Sequence, residues 1–183
     1  MTATRPYGSG HGRSSPSWRG TIIAVEILVC GSPDRGDDGA PMLACELLRA
    51  ALPKDVRLRT VGMLDIDDLL SVGKGAGVVV VDAATGIDAG IVVELPLSGP
   101  SGLGTIVLPR SSHALAIPEV VGLAEMIRGR PLGGLIVAIG GSQFGLGRPL
   151  SKPVALALPT LARAVLEAID RVRPTGAPAA GSS

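Results

Sequence analysis

Acidic residues and one histidine stand at three places where the sequence could support metal or acid–base chemistry. Asp37 and Asp38 lie in a loop rich in glycine and charge, between an apolar run and a helical pattern. Asp82 ends a run of valines, where a carboxylate is costly to bury unless it is paired or binds a ligand. His113 is the only histidine outside the amino-terminal segment. Two carboxylates and one imidazole form an open ligand set for a divalent transition metal.

Each of these residues also has an ordinary structural explanation. An aspartate at a strand exit commonly caps a turn, and acids at a helix start accept hydrogen bonds from free N–H groups. His113 could be a plain loop histidine beside Ser112. Asp34, Asp37 and Asp38 together exceed what one helix start needs, so we expect Asp37 or Asp38 to serve the helix while the other faces the site. Residue types alone leave that choice open.

The sequence lacks the motifs of nucleotide sites, common zinc sites and serine or cysteine nucleophiles. The sequence contains no G-x-x-x-x-G-K-[ST] or G-x-G-x-x-G for nucleotides, no H-E-x-x-H and no paired Cys-x-x-Cys for zinc. The segment GGSQF fails the G-x-S-x-G pattern of serine hydrolases at Phe144. Cys30 and Cys45 sit among apolar residues without an obvious activating base, which predicts buried free thiols rather than a nucleophile or a disulfide framework.

Continuous apolar runs predict strands buried on both faces, as in a parallel sheet covered by helices. Strands are expected at 21–30, 55–61 (alternating, nearer an edge), 77–83, 90–97, 105–109 (weak) and 134–140. Helices are expected at 37–52, 63–73, 116–129 and 151–172. The alternation predicts a three-layer α/β fold, with a mostly parallel twisted sheet of about five strands and helices on both faces.

Local signals refine these helices, and the fold predicts where a ligand binds. Val120, Leu123 and Ile127 would form the buried face of the third helix. The last helix would begin after Ser151 as a cap, and Pro159 should kink it or end its first segment.

In parallel sheets covered by helices, ligands bind at the carboxyl ends of the strands. The candidate aspartates and the histidine follow different strands, so we expect them at one rim.

Composition and charge narrow the class of protein. The 183 residues carry 17 basic and 16 acidic side chains with 2% aromatics, which excludes a basic or stacking surface for nucleic acid. We expect one domain at 21–173 between disordered tails at 1–20, which is basic, and 174–183. No apolar run is long enough for a transmembrane helix, and no signal-peptide pattern is present. We therefore expect a cytoplasmic protein without a membrane partner.

The order of these segments resembles that of the hydrogenase maturation proteases, the endopeptidases that trim the carboxyl-terminal extension from the large subunit of nickel–iron hydrogenases. The resemblance spans 22–170, and the ordered set is more specific than any single segment. The segments that carry it are ILVCGSPDRGDDGAP (27–41), VVVVDA (78–83), TGIDAGIVVELP (85–96), SSHALAIPEVVGLAEMI (111–127) and LIVAIGGSQFGLGRPLSKPVALALP (135–159).

The resemblance implies that Asp38, Asp82 and His113 engage a metal, and it chooses Asp38 over Asp37. The metal would be nickel already mounted in the hydrogenase large-subunit precursor, so that it marks a loaded substrate. The implied activity is that of a metal-dependent endopeptidase, a hydrolase of peptide bonds without a serine or cysteine nucleophile. The loop residues that would shape or border the substrate path are Gly31, Ser32, Asp34, Arg35 and Gly39.

Several positions depart from the family's pattern. Ser32 replaces the turn asparagine, Asp34 replaces an apolar residue, and Asp38 stands where glutamate is frequent. These changes bear on substrate choice more than on fold. Two other functions stay open on this sequence: a non-catalytic maturation chaperone or binding protein on the same fold, and another metal-assisted hydrolase.

Overall fold

A mostly parallel β-sheet forms the centre of the computed structural model, which describes residues 22–98, 110–111 and 117–175. The strands are β1 (Val25–Cys30), β2 (Val56–Gly62), β3 (Gly77–Thr85), β4 (Val92–Pro96), β5 (Arg110–Ser111) and β6 (Gly134–Gly140). Their order is β2-β1-β3-β6-β4, and the short β5 pairs with the end of β3. The first four strands in this order run parallel, while β4 is antiparallel to β6 at the edge.

Four α-helices cover the two faces of this sheet. They are α1 (Ala40–Leu48), α2 (Ile66–Leu70), α3 (Ile117–Arg128) and α4 (Lys152–Val172). α1 and α4 pack on the face that carries Ile27 and Val79, whereas α2 and α3 pack on the face that carries Leu28 and Val80. Because both faces are covered, β1 and β3 are continuous apolar runs rather than alternating patterns. The predicted three-layer α/β fold is confirmed.

The ends of each strand depend on where its hydrogen bonds to the neighbouring strands begin and end. β6 matches the predicted 134–140, and β2 lies at an edge as its alternating pattern indicated. β1 begins later than predicted, because its ladder starts where Val25 meets Val56 on one side and Gly77 on the other. The weak strand predicted at 105–109 lies outside the described residues.

Two predicted helices are shorter or more divided than expected. The segment 37–52 forms a 3-10 turn (Gly36–Gly39), then α1, then a second 3-10 turn (Arg49–Ala51). Pro41 in the first turn of α1 has no N–H to donate, which suits the start of an α-helix. The segment 63–73 shortens to α2, which opens with a capping box of Asp65 and Asp68.

The buried face of α3 differs from the predicted one. Val120 is buried as expected, but Leu123 and Ile127 are 43% and 64% exposed. Val121 and Ala124 face the sheet instead, beside Val120. These short side chains let the helix pack close to the strands, which buries backbone and side chains at high density. The prediction was wrong about which of two apolar stripes faces the core.

α4 runs through Pro159 and is 21 residues long. Of the two predicted effects of Pro159, ending the first segment is therefore wrong, and the kink stays a prediction. Val154 before the proline, and Leu161 and Val165 after it, are buried in one core, so packing holds the helix together despite one lost backbone hydrogen bond. Ser151 occupies the N-cap position as predicted, but its side chain makes no capping hydrogen bond. None of the helices in the described ranges is long and apolar enough to cross a membrane.

β1 contains a buried carboxylate, Glu26, that the sequence-based expectations did not include. Glu26 accepts hydrogen bonds from the guanidinium of Arg59 at 3.5 Å and from the backbone N–H of Gly73 at 3.3 Å. Arg59 also pairs with Asp68 of α2 at 2.7 Å. The arginine therefore joins the sheet edge to α2 and compensates a charge that would be costly to bury alone.

Gly77 begins β3 against the end of α4. An added Cβ would lie 2.2 Å from the carbonyl oxygen of Val172, so the strand or the helix end would have to move. We expect Gly77→Ala to lower the free energy of unfolding by about 1–3 kcal/mol. Gly122→Ala in α3 is the control, because nothing lies within 4 Å of its added Cβ. The control should be neutral or stabilise by up to about 1 kcal/mol. Equal urea midpoints for the two variants would contradict this packing.

Candidate active site

Asp38 and Asp82 lie at the carboxyl end of the parallel strands. β1 pairs with β3 through Val29 and Val81, and the residues that follow them are Cys30 and Asp82. Asp38 belongs to the 3-10 turn that follows β1. The two aspartates are only 1% and 2% exposed. Charged groups are rarely buried this deeply without a partner or a ligand.

The 3-10 turn that carries Asp38 contacts β3, which carries Asp82, and Cys30 at the end of β1 is affected by both charges. Burial raises the pKa of Cys30 well above its ordinary value, and the negative charges of Asp82, Asp68 and Asp38 raise this pKa further. The structure therefore places these two carboxylates at the same end of the sheet.

Asp38 is held by the loop that follows β1, residues 31–39, here called the first loop. Its Oδ2 accepts the backbone N–H of Ser32 at 3.0 Å. Gly31 has a φ of +103°, and a Cβ there would lie 2.0 Å from the carbonyl oxygen of Asp38. Gly39 is also tight, since its added Cβ would lie 3.1 Å from Cα of Pro33. The glycines therefore let the loop fold back on itself and bring the Asp38 carboxylate over Ser32.

Asp82 remains within β3, and His113 lies outside the described residues. Oδ1 of Asp82 accepts the N–H of Ala83 at 2.9 Å. Ser111 of β5 pairs with Ala84, so the chain returns to this end of β3 two residues before the histidine. α3 then begins on the same side as Val80, the face toward which Asp82 points by strand alternation.

The donor set of the site fits a divalent cation only in part. Two buried carboxylates provide oxygen ligands of the kind such cations take. Within 22–98, 110–111 and 117–175, no group of three or more His, Cys, Asp or Glu side chains is placed to hold a metal ion. A complete ligand set therefore needs a further group, from His113 or from a bound partner.

Asp37 does not serve the start of α1, so that prediction was wrong. Arg35 and Gly39, the N-cap residues of the 3-10 turn and of α1, make no side-chain capping hydrogen bond. The Asp37 carboxylate instead accepts backbone N–H groups from residues 141–151, here called the last loop. Oδ2 accepts from Ser142 at 2.8 Å and from Gln143 at 3.0 Å, and Oδ1 accepts from Ser151 at 2.6 Å. Asp37 therefore joins the first loop to the start of α4.

Backbone contacts complete the pairing of the first and last loops. The N–H of Asp37 donates to the carbonyl oxygen of Gln143 at 2.7 Å, and the N–H of Gly147 donates to that of Asp34, also at 2.7 Å. Arg35 and Arg148 form an isolated parallel bridge. The side chains of Asp34 and Arg35 remain exposed at the rim. The sequence does indicate this pairing through two glycine-rich loops at one end of the sheet. The pairing was not among the predictions.

The sequence matches no protein-family model and, at a significant level, no curated protein. Its fold is similar to that of several solved proteins. The NiFe hydrogenase maturation protease HybD from Thermococcus kodakarensis is 21% identical with a TM-score of 0.64, over 79% of this chain and 98% of that chain. The protease HycI from the same organism is 22% identical with a TM-score of 0.61, over 81% and 93%.

A bacterial protein shows the same likeness. The hydrogenase maturating endopeptidase HybD from E. coli is 16% identical with a TM-score of 0.65, over 84% of this chain and 98% of that chain. At identities this low the likeness shows a shared fold. The resemblance inferred from the ordered segments therefore holds at the level of the whole fold.

The carboxylate of Asp37 should matter for stability in a pH-dependent way. Burial alone would raise the pKa of Asp37, but the N–H groups of Ser151, Ser142 and Gln143 outweigh it and hold this pKa below its ordinary value. We expect Asp37→Asn to lower the free energy of unfolding at neutral pH by roughly 1–3 kcal/mol, since an amide NH2 would face backbone donors.

The sign of the pH effect follows from the lowered pKa of Asp37. The stabilisation is complete above the unfolded-state pKa of about 3.9 and is lost as the pH falls through the folded-state pKa. Urea unfolding of the wild type and Asp37→Asn should therefore show a gap at neutral pH that closes in acid. A gap of constant size down to strongly acidic pH would contradict this account.

Neither cysteine should react while the protein is folded. Both thiols are buried, and burial raises the pKa of Cys45 to about 12 against the opposing charge of Arg49. The pKa of Cys30 is raised as well. Because the thiolate is the reactive form, a disulfide reagent at mildly alkaline pH should label the native protein negligibly and the unfolded protein at both cysteines. Rapid labelling of Cys30 in the native protein would contradict its burial.

Proposed function

We propose that the chain is an endopeptidase that removes the carboxyl-terminal extension of a nickel–iron hydrogenase large-subunit precursor after nickel insertion. One observation supports this above all. Asp38 and Asp82 are both buried at the carboxyl end of β1 and β3, in a fold shared with proteins named hydrogenase maturation proteases. Ligand sites of parallel α/β sheets lie at this end.

In this proposal Asp38, Asp82 and His113 contact nickel that arrives in the precursor and belongs to the substrate. The metal would supply the positive charge to which these side chains bind, so a precursor without nickel would not be held. His113 is two residues from Ser111, whose pairing with Ala84 keeps the chain at the end of β3. That short connection supports the histidine as the third ligand.

The first loop would admit the peptide that is cut. Its backbone is fixed by hydrogen bonds to the last loop, while the side chains of Asp34 and Arg35 are exposed at the rim. These side chains can therefore contact a substrate without disturbing the turn that carries Asp38. Gly31 and Gly39 keep the loop compact around Ser32. We assign these residues to shaping the path rather than to the cut itself.

The proposal also includes where the protein acts and with what. Its partner is the hydrogenase large-subunit precursor, and we place the encounter in the cytoplasm. The nearly balanced charge, 17 basic against 16 acidic side chains, offers no electrostatic attraction for nucleic acid or an anionic membrane. Recognition is therefore assigned to the rim of the site and to nickel rather than to net charge.

A cleavage assay with nickel-loaded precursor tests the proposal. The wild type should shorten the large subunit and leave nickel-free precursor intact. Asp38→Ala, Asp82→Ala and His113→Ala should each lower the cleavage rate by at least about 100-fold, since each removes a metal contact. Asp170→Ala, an exposed carboxylate on α4, is the control and should cleave at the wild-type rate.

Three outcomes would overturn the assignment. Full cleavage by all three site variants would show that the proposed metal contacts are not required. Stable binding of the loaded precursor without any shortening would make the chain a maturation chaperone or binding protein. Hydrolysis of small amides or esters in the absence of precursor would point to a different metal-assisted hydrolase.

A further inference from the structure

Two adjacent aspartates of the first loop contact different partners. The carboxylate of Asp38 accepts the N–H of Ser32 within the first loop at 3.0 Å. The carboxylate of Asp37 accepts N–H groups of the last loop, with the shortest contact at Ser151, 2.6 Å. One planar peptide unit joins the two residues, so the placement of one constrains the placement of the other.

The contacts of Asp37 fix its position from several directions. Both carboxylate oxygens accept backbone hydrogen bonds, and the residue is 0% exposed. Its own N–H donates to Gln143, the residue whose N–H its carboxylate accepts. Gly36 lies so close to the same loop that an added Cβ would be 2.2 Å from the Gln143 carbonyl oxygen. Charge-assisted hydrogen bonds of this kind are roughly twice as strong as neutral ones.

We propose that Asp37 is a positioning residue for Asp38. It anchors the 3-10 turn to the last loop, so that the carboxylate of Asp38 is presented at the end of the sheet in one orientation. The last loop and the start of α4 thereby support the site, mainly through their backbone N–H groups. The consequence for peptide cleavage rests on the proposed function, whereas the positioning of Asp38 does not.

Position 151 allows the anchor to be altered without touching either aspartate. Ser151 has a φ of −65°, which proline also adopts, and its hydroxyl makes no hydrogen bond of normal geometry to the described residues, although it contributes to the lowered pKa of Asp37. Ser151→Pro removes the N–H that donates to Asp37, while Ser151→Ala keeps that N–H and removes only the hydroxyl. The two variants are therefore a matched pair, and Asp37→Asn is the direct variant.

Hydrogen exchange of the Ser32 amide is the readout, because this N–H donates to the Asp38 carboxylate. NMR-detected exchange in the metal-free full chain should show protection of Ser32 reduced at least about tenfold in Ser151→Pro and Asp37→Asn, beyond any change at core amides such as Val80. Ser151→Ala should leave Ser32 at the wild-type level. In the cleavage assay, Ser151→Pro should act about tenfold more slowly than Ser151→Ala, in the range that supporting residues of metal sites contribute.

The outcomes separate this inference from the proposed function. Unchanged Ser32 protection in Ser151→Pro would overturn it, and so would a loss at Ser32 no larger than that at Val80, since a purely structural role predicts the latter. If Ser32 loses protection while Asp38→Ala still cleaves the precursor, the positioning of Asp38 stands and the proposed function fails. If Asp37→Asn does not fold, the pair at Ser151 still decides the question.

Discussion

The carboxylate of Asp37 is the interaction on which the end of this sheet depends. The first loop follows β1 and the last loop precedes α4, and more than a hundred residues separate them along the chain. A buried charge shared among three backbone N–H groups compensates its own desolvation and leaves those donors satisfied. Without it, two glycine-rich segments would meet at the rim through few contacts. With it, the turn that carries Asp38 rests against a helix start.

The sheet supplies the other half of the geometry. β1 and β3 are covered on both faces, so their ends are fixed by the packing of two cores rather than by loop contacts. Asp82 is held rigidly because it lies inside β3. Asp38 lies beyond the end of β1, so its position depends on the glycines and hydrogen bonds of the first loop. One carboxylate of the site is thus placed by the core and the other by polar contacts at the surface of that core.

The sequence predicted what local burial determines and missed what distant contacts determine. Strands covered on both faces leave room only for apolar residues, so β3, and with it Asp82, could be placed from its valines alone. The partners of Asp37 could not be predicted from the sequence, because an acid that caps a helix and one that binds a distant loop look alike in sequence. α3 has two apolar stripes, and only the neighbouring sheet decides that Val121 rather than Ile127 is buried. His113 lies outside the described residues, so its predicted role stays a prediction.

The three shortest contacts of the Asp37 carboxylate come from main-chain N–H groups, and the hydroxyl of Ser142 adds a longer one at 3.5 Å. These hydrogen bonds depend mainly on the path of the backbone in the last loop. Side chains at positions 142, 143 and 151 that leave the backbone N–H in place can therefore be exchanged with little loss of these contacts. A protein built in this way can vary the lining of its rim while the turn that carries Asp38 keeps its shape.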